Sequence, residues 1–290
     1  MIVLTQFAQR ATTWSETWRR FKKNKAALIG GFIVLAAVIT AIIAPVISPY
    51  NPDAMVGERL QPPSNKFWFG TDGIGRDCLS RVIWGSRIAL MVGLGASLIS
   101  LIIGVASGSI AGYYGGIIDD VMMRICEVFL VIPSFFLYIL IVSIFRVRGP
   151  QYIMILLALV GWTELAKIVR ADFLSLKERE FAKAAIGLGA SDIHIIFRYL
   201  LPNDLAPIIV VSTMNIAGFI IMDAALSFMG LGDPTAISWG IMLSQGRQYI
   251  GYAWWLATFP GLATFITAIG FNFLGDGLRD SLDPKLRGTI

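Results

Sequence analysis

Side chains able to do covalent or metal chemistry are few in this sequence. It has one histidine, His194, and two cysteines, Cys78 and Cys126. Metal sites take three or four such donors at short spacing. His194 has no cysteine or second histidine near it, so no metal ligand is expected. The cysteines read as small buried thiols rather than a disulfide. No GxxxxGK[ST], HExxH or GxSxG occurs, and the Gly-Leu-Gly triplets at 93, 187 and 230 never complete GxGxxG. With so little acid–base capacity, the reading is a chain with no catalytic residue, no metal and no cofactor. Three ionisable residues stand out because they interrupt long apolar runs. Arg124 and Glu127 are three apart, hence on one helix face. Asp223 lies in GFIIMDAALSFMGLG.

The apolar runs set the class. The chain is 56% apolar and 15% charged, with mean hydropathy +0.71, where soluble domains sit near one quarter charged. Six stretches are long enough to span a bilayer: Ala26–Ile47, Ile88–Tyr113, Val121–Phe145, Gly149–Ile168, Leu205–Leu231 and Ala253–Leu274. They do not alternate with period two, so helices rather than barrel strands are expected. The fold class is all-α, a polytopic membrane protein. The fourth span carries Glu164, Lys167 and Arg170 and reads as a helix running out of the membrane. The net charge of +5 calls for no nucleic acid. It sets orientation, since basic residues concentrate at Arg10 to Lys25, at Lys167 to Arg198, and at Arg279, Lys285 and Arg287. The positive-inside rule then places both termini in the cytoplasm.

In a membrane each buried charge costs about 2.5–3.5 kcal/mol on insertion scales, so Arg124, Glu127 and Asp223 should face protein or water. Arg124 and Glu127 lie near the inner surface, where a structural pair is expected. For Asp223 two readings stand level. One is a functional polar group on a pathway. The other is a hydrogen bond to backbone at a helix break, which Gly230 and Gly232 permit.

Four parts follow. Residues 1–25 form an amphipathic elbow helix on the cytoplasmic leaflet, with Trp14, Trp18 and Phe21 toward lipid, and it is retained rather than cleaved. Residues 26–47 are the first span and 48–87 an outer loop. The turn-rich stretch Phe69–Arg87 in that loop pairs Asp72, Arg76 and Asp77 internally and leads to an interfacial helix. Residues 88–290 are the core, including a charged cytoplasmic loop at 171–204. In the second span Ala96, Ser100, Gly104, Gly108 and Gly112 put a small residue at every fourth position, a face for close helix packing.

The loop carries the most specific signal. FAKAAIGLGASDIHIIFRYLLP, Phe181 to Pro202, has Ala184-Ala185, Gly189 after three intervening residues, and Leu201-Pro202 closing the pattern. This spacing resembles the EAA loop of ABC-importer permeases. FGTDGIGRDCLSRVIWGSRIAL, GYYGGIIDDVMMRICEVFLVIPS, ALSFMGLG and WGIMLSQGRQYI follow in the same order as in the C-type permeases of di- and oligopeptide importers. That family also contains nickel and some oligosaccharide permeases, and the likeness runs from Phe21 onward.

The resemblance implies a type I importer fold in the inner membrane and a transport role without enzymatic activity. It implies a homologous B-type permease, two ATP-binding subunits and an extracytoplasmic solute-binding protein as partners, with membrane lipid around the spans. It places ATPase coupling on Phe181, Lys183, Ala184, Ala185, Gly189, Tyr199, Leu201 and Pro202. Phe181, Ala184, Ala185 and Ile186 are expected to form a small apolar docking surface. The expected solute is a peptide; nickel or an oligosaccharide is the alternative within the family, and a channel or secondary carrier the alternative outside it. Three departures stand out. Lys183 and Tyr199 replace the usual Glu and Ile, and the segment after Gly232, DPTAISWG, is short.

Overall fold

The computed structural model describes residues 18–145 and 148–282. Most of the amphipathic segment, together with Lys285 and Arg287, lies outside these. Among the described residues the protein is all-helical. Helices α1 (Lys25–Ile47), α2 (Cys78–Tyr114), α3 (Gly116–Val131), α4 (Ser134–Phe145) and α5 (Pro150–Lys177) come first. Two short helices follow, α6 (Glu180–Gly187) and α7 (Asp192–Ile195). A π-turn, Ile196–Leu200, then joins α7 to α8 (Leu201–Phe228). The chain closes with α9 (Trp239–Gly246) and α10 (Trp255–Leu282). Among the described residues five helical runs are long and apolar enough to cross a membrane, and the bent pair α3–α4 makes a sixth crossing if counted as one.

Side-chain caps fix three of the starts, with Ser238 capping α9 through the Ile241 N–H. The Asn24 side chain accepts from the Ala27 N–H, and the Asp77 carboxylate accepts from the Ser80 N–H at 2.8 Å. Helix α2 therefore begins at Cys78, ten residues before the expected Ile88. At about 1.5 Å per residue its 37 residues run to roughly 55 Å, well beyond a ~30 Å hydrocarbon core.

The span expected over Val121–Phe145 is not one continuous helix. It bends by 87° between α3 and α4. Pro133 lacks an N–H and forces the preceding residue out of the helical region, and Ile132 is extended at φ −91°, ψ 125°.

The core is helix on helix. Val92 and Ala96 of α2, Leu156 and Leu157 of α5, Tyr138 of α4 and Phe219 of α8 form one buried cluster. A second joins Ala41, Leu90, Ile220, Trp239 and Phe271, drawn from α1, α2, α8, α9 and α10. The small-residue stripe of α2 lies against α5. A methyl group added at Gly108 would fall 2.5 Å from the Ala166 carbonyl oxygen and 2.8 Å from Val169 Cβ. Neither helix can yield without separating, so Gly108→Leu is expected to destabilise the protein by about 1–3 kcal/mol or more. Gly31 has open space around it, and Gly31→Ala should be close to neutral. Thermal unfolding of the detergent-purified protein separates the two. Equal midpoints for Gly108→Leu and wild type would refute this packing.

Candidate functional site

One end of the bundle is built by residues 178–204. Helix α6 ends in two backbone bonds, Gly189 N–H to Ile186 O at 2.9 Å and Ala190 N–H to Ala185 O at 3.1 Å. This is the Schellman arrangement, which needs a left-handed residue at its corner, and Gly189 has φ +77°. The corner redirects the chain into α7. Past α7 the Leu201 N–H donates to Ile196 O, five residues back, and the helix continues through Pro202 into α8. Leu201 and Pro202 thus stand in the first turn of a spanning helix, half-buried, and not in a loop.

The underside of α6 and α7 is rooted in the bundle. Ala182, Ala185, Ile195, Ile196 and Leu200 are buried with Leu165, Val169 and Phe173 of α5 and Ile208 of α8. Ala185 is 6% exposed and faces inward, because it follows Ala182 by three positions on the same helix face. Phe181, Lys183, Ala184 and Ile186 face outward. So do Leu188, Ile193 and Phe197, which the motif did not single out, and Leu188 is 89% exposed. Their signal was present as apolar residues outside the buried face of a short amphipathic helix, with Ile193 and Phe197 four apart.

Polar contacts tie this unit down. The Tyr113 hydroxyl, at the end of α2, donates to the Asp192 carboxylate at 2.7 Å. Arg170 of α5 holds Asp119 of α3 through both carboxylate oxygens, a pair absent from the sequence expectations. The departure at Lys183 has a local partner, since its ammonium lies 3.0 Å from the Glu178 carboxylate. The Lys183 ammonium holds the Glu178 carboxyl below its ordinary range, and the pair is solvent-exposed, where such contacts contribute little. Tyr199 is half-buried and packs edge-on against His194, ring centroids 5.7 Å apart.

The intramembrane candidates separate. Arg124 and Glu127 pair with each other at 2.9 Å, Arg124 being 83% exposed at its side chain. Asp223 lies deep in α8 and is 3% exposed. Its half of the helix is enclosed by other helices: Ile220 meets α2 at Gly93, Phe219 meets α5 at Gly161, and Ala224 meets α9 at Gly240. Asp204, in the first turn of α8, is 1% exposed; no donor among the described residues reaches either of its oxygens, and its nearest ionisable neighbour is the Asp172 carboxyl of α5.

Cys78 and Cys126 are both buried free thiols in separate clusters, one beside Trp255 and Leu256, the other beside Trp162 and Ala166. Among the described residues no three His, Cys, Asp or Glu side chains gather as a metal site.

Residues 104–288 match the family profile described as the binding-protein-dependent transport system inner membrane component. Residues 12–63 match that of the N-terminal transmembrane domain of oligopeptide transport permease C. The chain is 42% identical to the dipeptide transport system permease protein of Alkalihalophilus pseudofirmus, covering 94% of this chain and 90% of that one. It is 39% identical to the oligopeptide transport system permease protein of Bacillus subtilis, over 94% and 90% of the two chains. The glutathione transport system permease protein of Pectobacterium atrosepticum is 39% identical over 95% and 92%.

Proposed function

Because the chain belongs to the inner-membrane components of binding-protein-dependent transport systems, we propose that it forms one half of the pathway of an ATP-driven importer of di- and oligopeptides. It works with a homologous second permease, two cytoplasmic ATPases and an extracytoplasmic binding protein. The end carrying residues 178–204 faces the cytoplasm, as do both termini. Peptide is favoured over nickel or an oligosaccharide because the relatives' names are those of dipeptide, oligopeptide and glutathione systems.

The observation that carries the coupling role is the two-sided build of α6 and α7. Their inner faces are locked into α5 and α8 by one apolar cluster. Their outer faces present Phe181, Ile186, Leu188, Ile193 and Phe197 uncovered. An ATPase gripping those tips moves α5 and α8 as rigid bodies, since a close-packed cluster transmits displacement rather than absorbing it. For Asp223 the pathway reading is taken over the structural one because a carboxylate at 3% exposure among three helices bears a desolvation cost that packing alone does not require.

The test is reconstitution. The purified polypeptide alone in lipid is expected to hydrolyse no ATP above background, and the chain carries no P-loop to do so. Adding the second permease, the ATPases and the binding protein should restore hydrolysis together with peptide uptake. Hydrolysis by the lone, contaminant-free chain would refute the reading. So would a full complex that imports no peptide.

A further inference from the structure

At the opposite end of the bundle the segment from Ser48 to Asp77 is folded. The Thr71 hydroxyl donates to Glu58 O at 2.6 Å and accepts from the Gln61 N–H, and the Trp255 indole donates to Thr71 O. Phe69 stacks on Phe259 at 3.8 Å. Between this segment and the α9 region lies a cavity of about 370 Å³, within the range that holds small ligands.

The charge on its wall is unbalanced. Arg59, Arg76 and Arg81 line it, and Asp72 is the one carboxylate among the lining residues. Asp72 is already committed: its Oδ2 lies 2.6 Å from Arg76 Nε and 3.9 Å from Arg81 Nε, and its Oδ1 accepts from the N–H groups of Ile74 and Arg76. Arg81, 3% exposed at its side chain, also donates to Pro52 O at 3.0 Å and meets the solvent-exposed Asp53 at 3.4 Å. Asp77 stands behind the wall, its carboxylate taken by the N–H and hydroxyl of Ser80. The one hydrogen bond of Arg59 goes to a neutral backbone oxygen, that of Gly73, and among the described residues no carboxylate lies within ion-pair distance of it. A second nitrogen of Arg76 makes only a long 3.5 Å contact to Gln245. Guanidinium groups with donors to spare match a carboxylate through paired hydrogen bonds. Ile74, Met242 and Leu256 supply apolar wall beside them.

We propose that this cavity receives the carboxylate end of the solute on the outer side of the membrane, with Arg59 and Arg76 as its recognition groups and Arg81 as the buried charge behind them. The proposal rests on the peptide-importer reading and sharpens it. The chemistry selected is that of a free carboxylate carrying a small apolar side chain, and a cation such as nickel is repelled.

The experiment uses the full complex in proteoliposomes, with its binding protein in excess and saturated with radiolabelled dialanine. Saturation keeps peptide capture by the binding protein from limiting uptake. Arg59→Gln is expected to lower uptake about tenfold, the scale of a lost charge-assisted hydrogen bond, and Arg59→Lys should recover part of it. Gln248→Glu places a fixed carboxylate on the same wall and should lower uptake as strongly without removing any cation. ATP hydrolysis stimulated by the loaded binding protein should stay within about twofold of wild type in all three, because docking and coupling are untouched. Unchanged uptake in Arg59→Gln and Gln248→Glu overturns the proposal. A parallel fall of uptake and stimulated hydrolysis also overturns it, and makes this surface a docking site for the binding protein. A wild-type complex that hydrolyses ATP but imports no dialanine refutes the peptide reading itself, and this one with it.

Discussion

A complex carrying Gly189→Val is expected to insert and assemble, to hydrolyse ATP, and to import at least tenfold less solute per ATP than wild type. The reason is the corner between α6 and α7. Gly189 sits at φ +77°, where a β-branched residue is a conformational outlier costing about 1–2 kcal/mol. No atom lies within 4 Å of where its Cβ would be, so the cost is backbone strain and not crowding. Gly189→Pro is harsher. Proline fixes φ near −65° and removes the N–H that bonds Ile186 O at 2.9 Å. Either change relaxes by re-aiming α6 against α7 and splitting the outward apolar residues into two surfaces that no longer present together. Gly189→Asn is the control, because asparagine enters the left-handed region readily. Uptake, ATP hydrolysis and co-purification of the ATPases are measured on each. Full uptake in both the valine and proline variants would show that the corner does not set the coupling geometry.

Gly189 was marked in the sequence through the likeness of its surroundings to the EAA loop; its left-handed corner between α6 and α7 follows from the backbone. The spans were legible because a bilayer leaves a backbone few choices, and hydropathy reports them directly. The rest turned on what spacing cannot carry. The break at Pro133 was visible as a residue type. Its 87° consequence is read only from packing, where Cys126 of α3 lies against Trp162 and Ala166 of α5 while Tyr138 and Val142 of α4 enter the α2–α5–α8 cluster. Ala184 and Ala185 are indistinguishable in the motif, yet one lies outward and the other in the core, because burial follows helix phase. The Asp119–Arg170 and Tyr113–Asp192 contacts join residues 51 and 79 positions apart. The cavity at the end of the bundle away from α6 and α7 assembles arginines from residues 59–81 with walls from 242–256. No local pattern marks such pairs before the helices are packed.

Asp223→Leu is expected to abolish most uptake, and Asp223→Asn to keep the fold and much of the activity. A carboxylate that is 3% exposed, in a helix enclosed by α2, α5 and α9, bears a desolvation cost that apolar packing would avoid. Leucine at this position removes that cost, so if the residue served packing alone, Asp223→Leu would be neutral or stabilising. Loss of uptake in a stable, assembled Asp223→Leu complex therefore separates function from structure in a way that loss in an unstable one cannot. The measurement pairs thermal unfolding of the purified complex with uptake in proteoliposomes. The pathway role predicts an unfolding midpoint equal to or above wild type with uptake reduced tenfold or more. Asparagine keeps the volume and part of the hydrogen-bonding capacity, so its uptake should fall only a few-fold. If Asp223→Leu transports at the wild-type rate, the polar group has no part in translocation. If its midpoint drops and Asp223→Asn rescues it, the carboxylate is a structural hydrogen-bond partner near the helix end at Gly230, where φ is +83°, and the pathway must be sought elsewhere along α8.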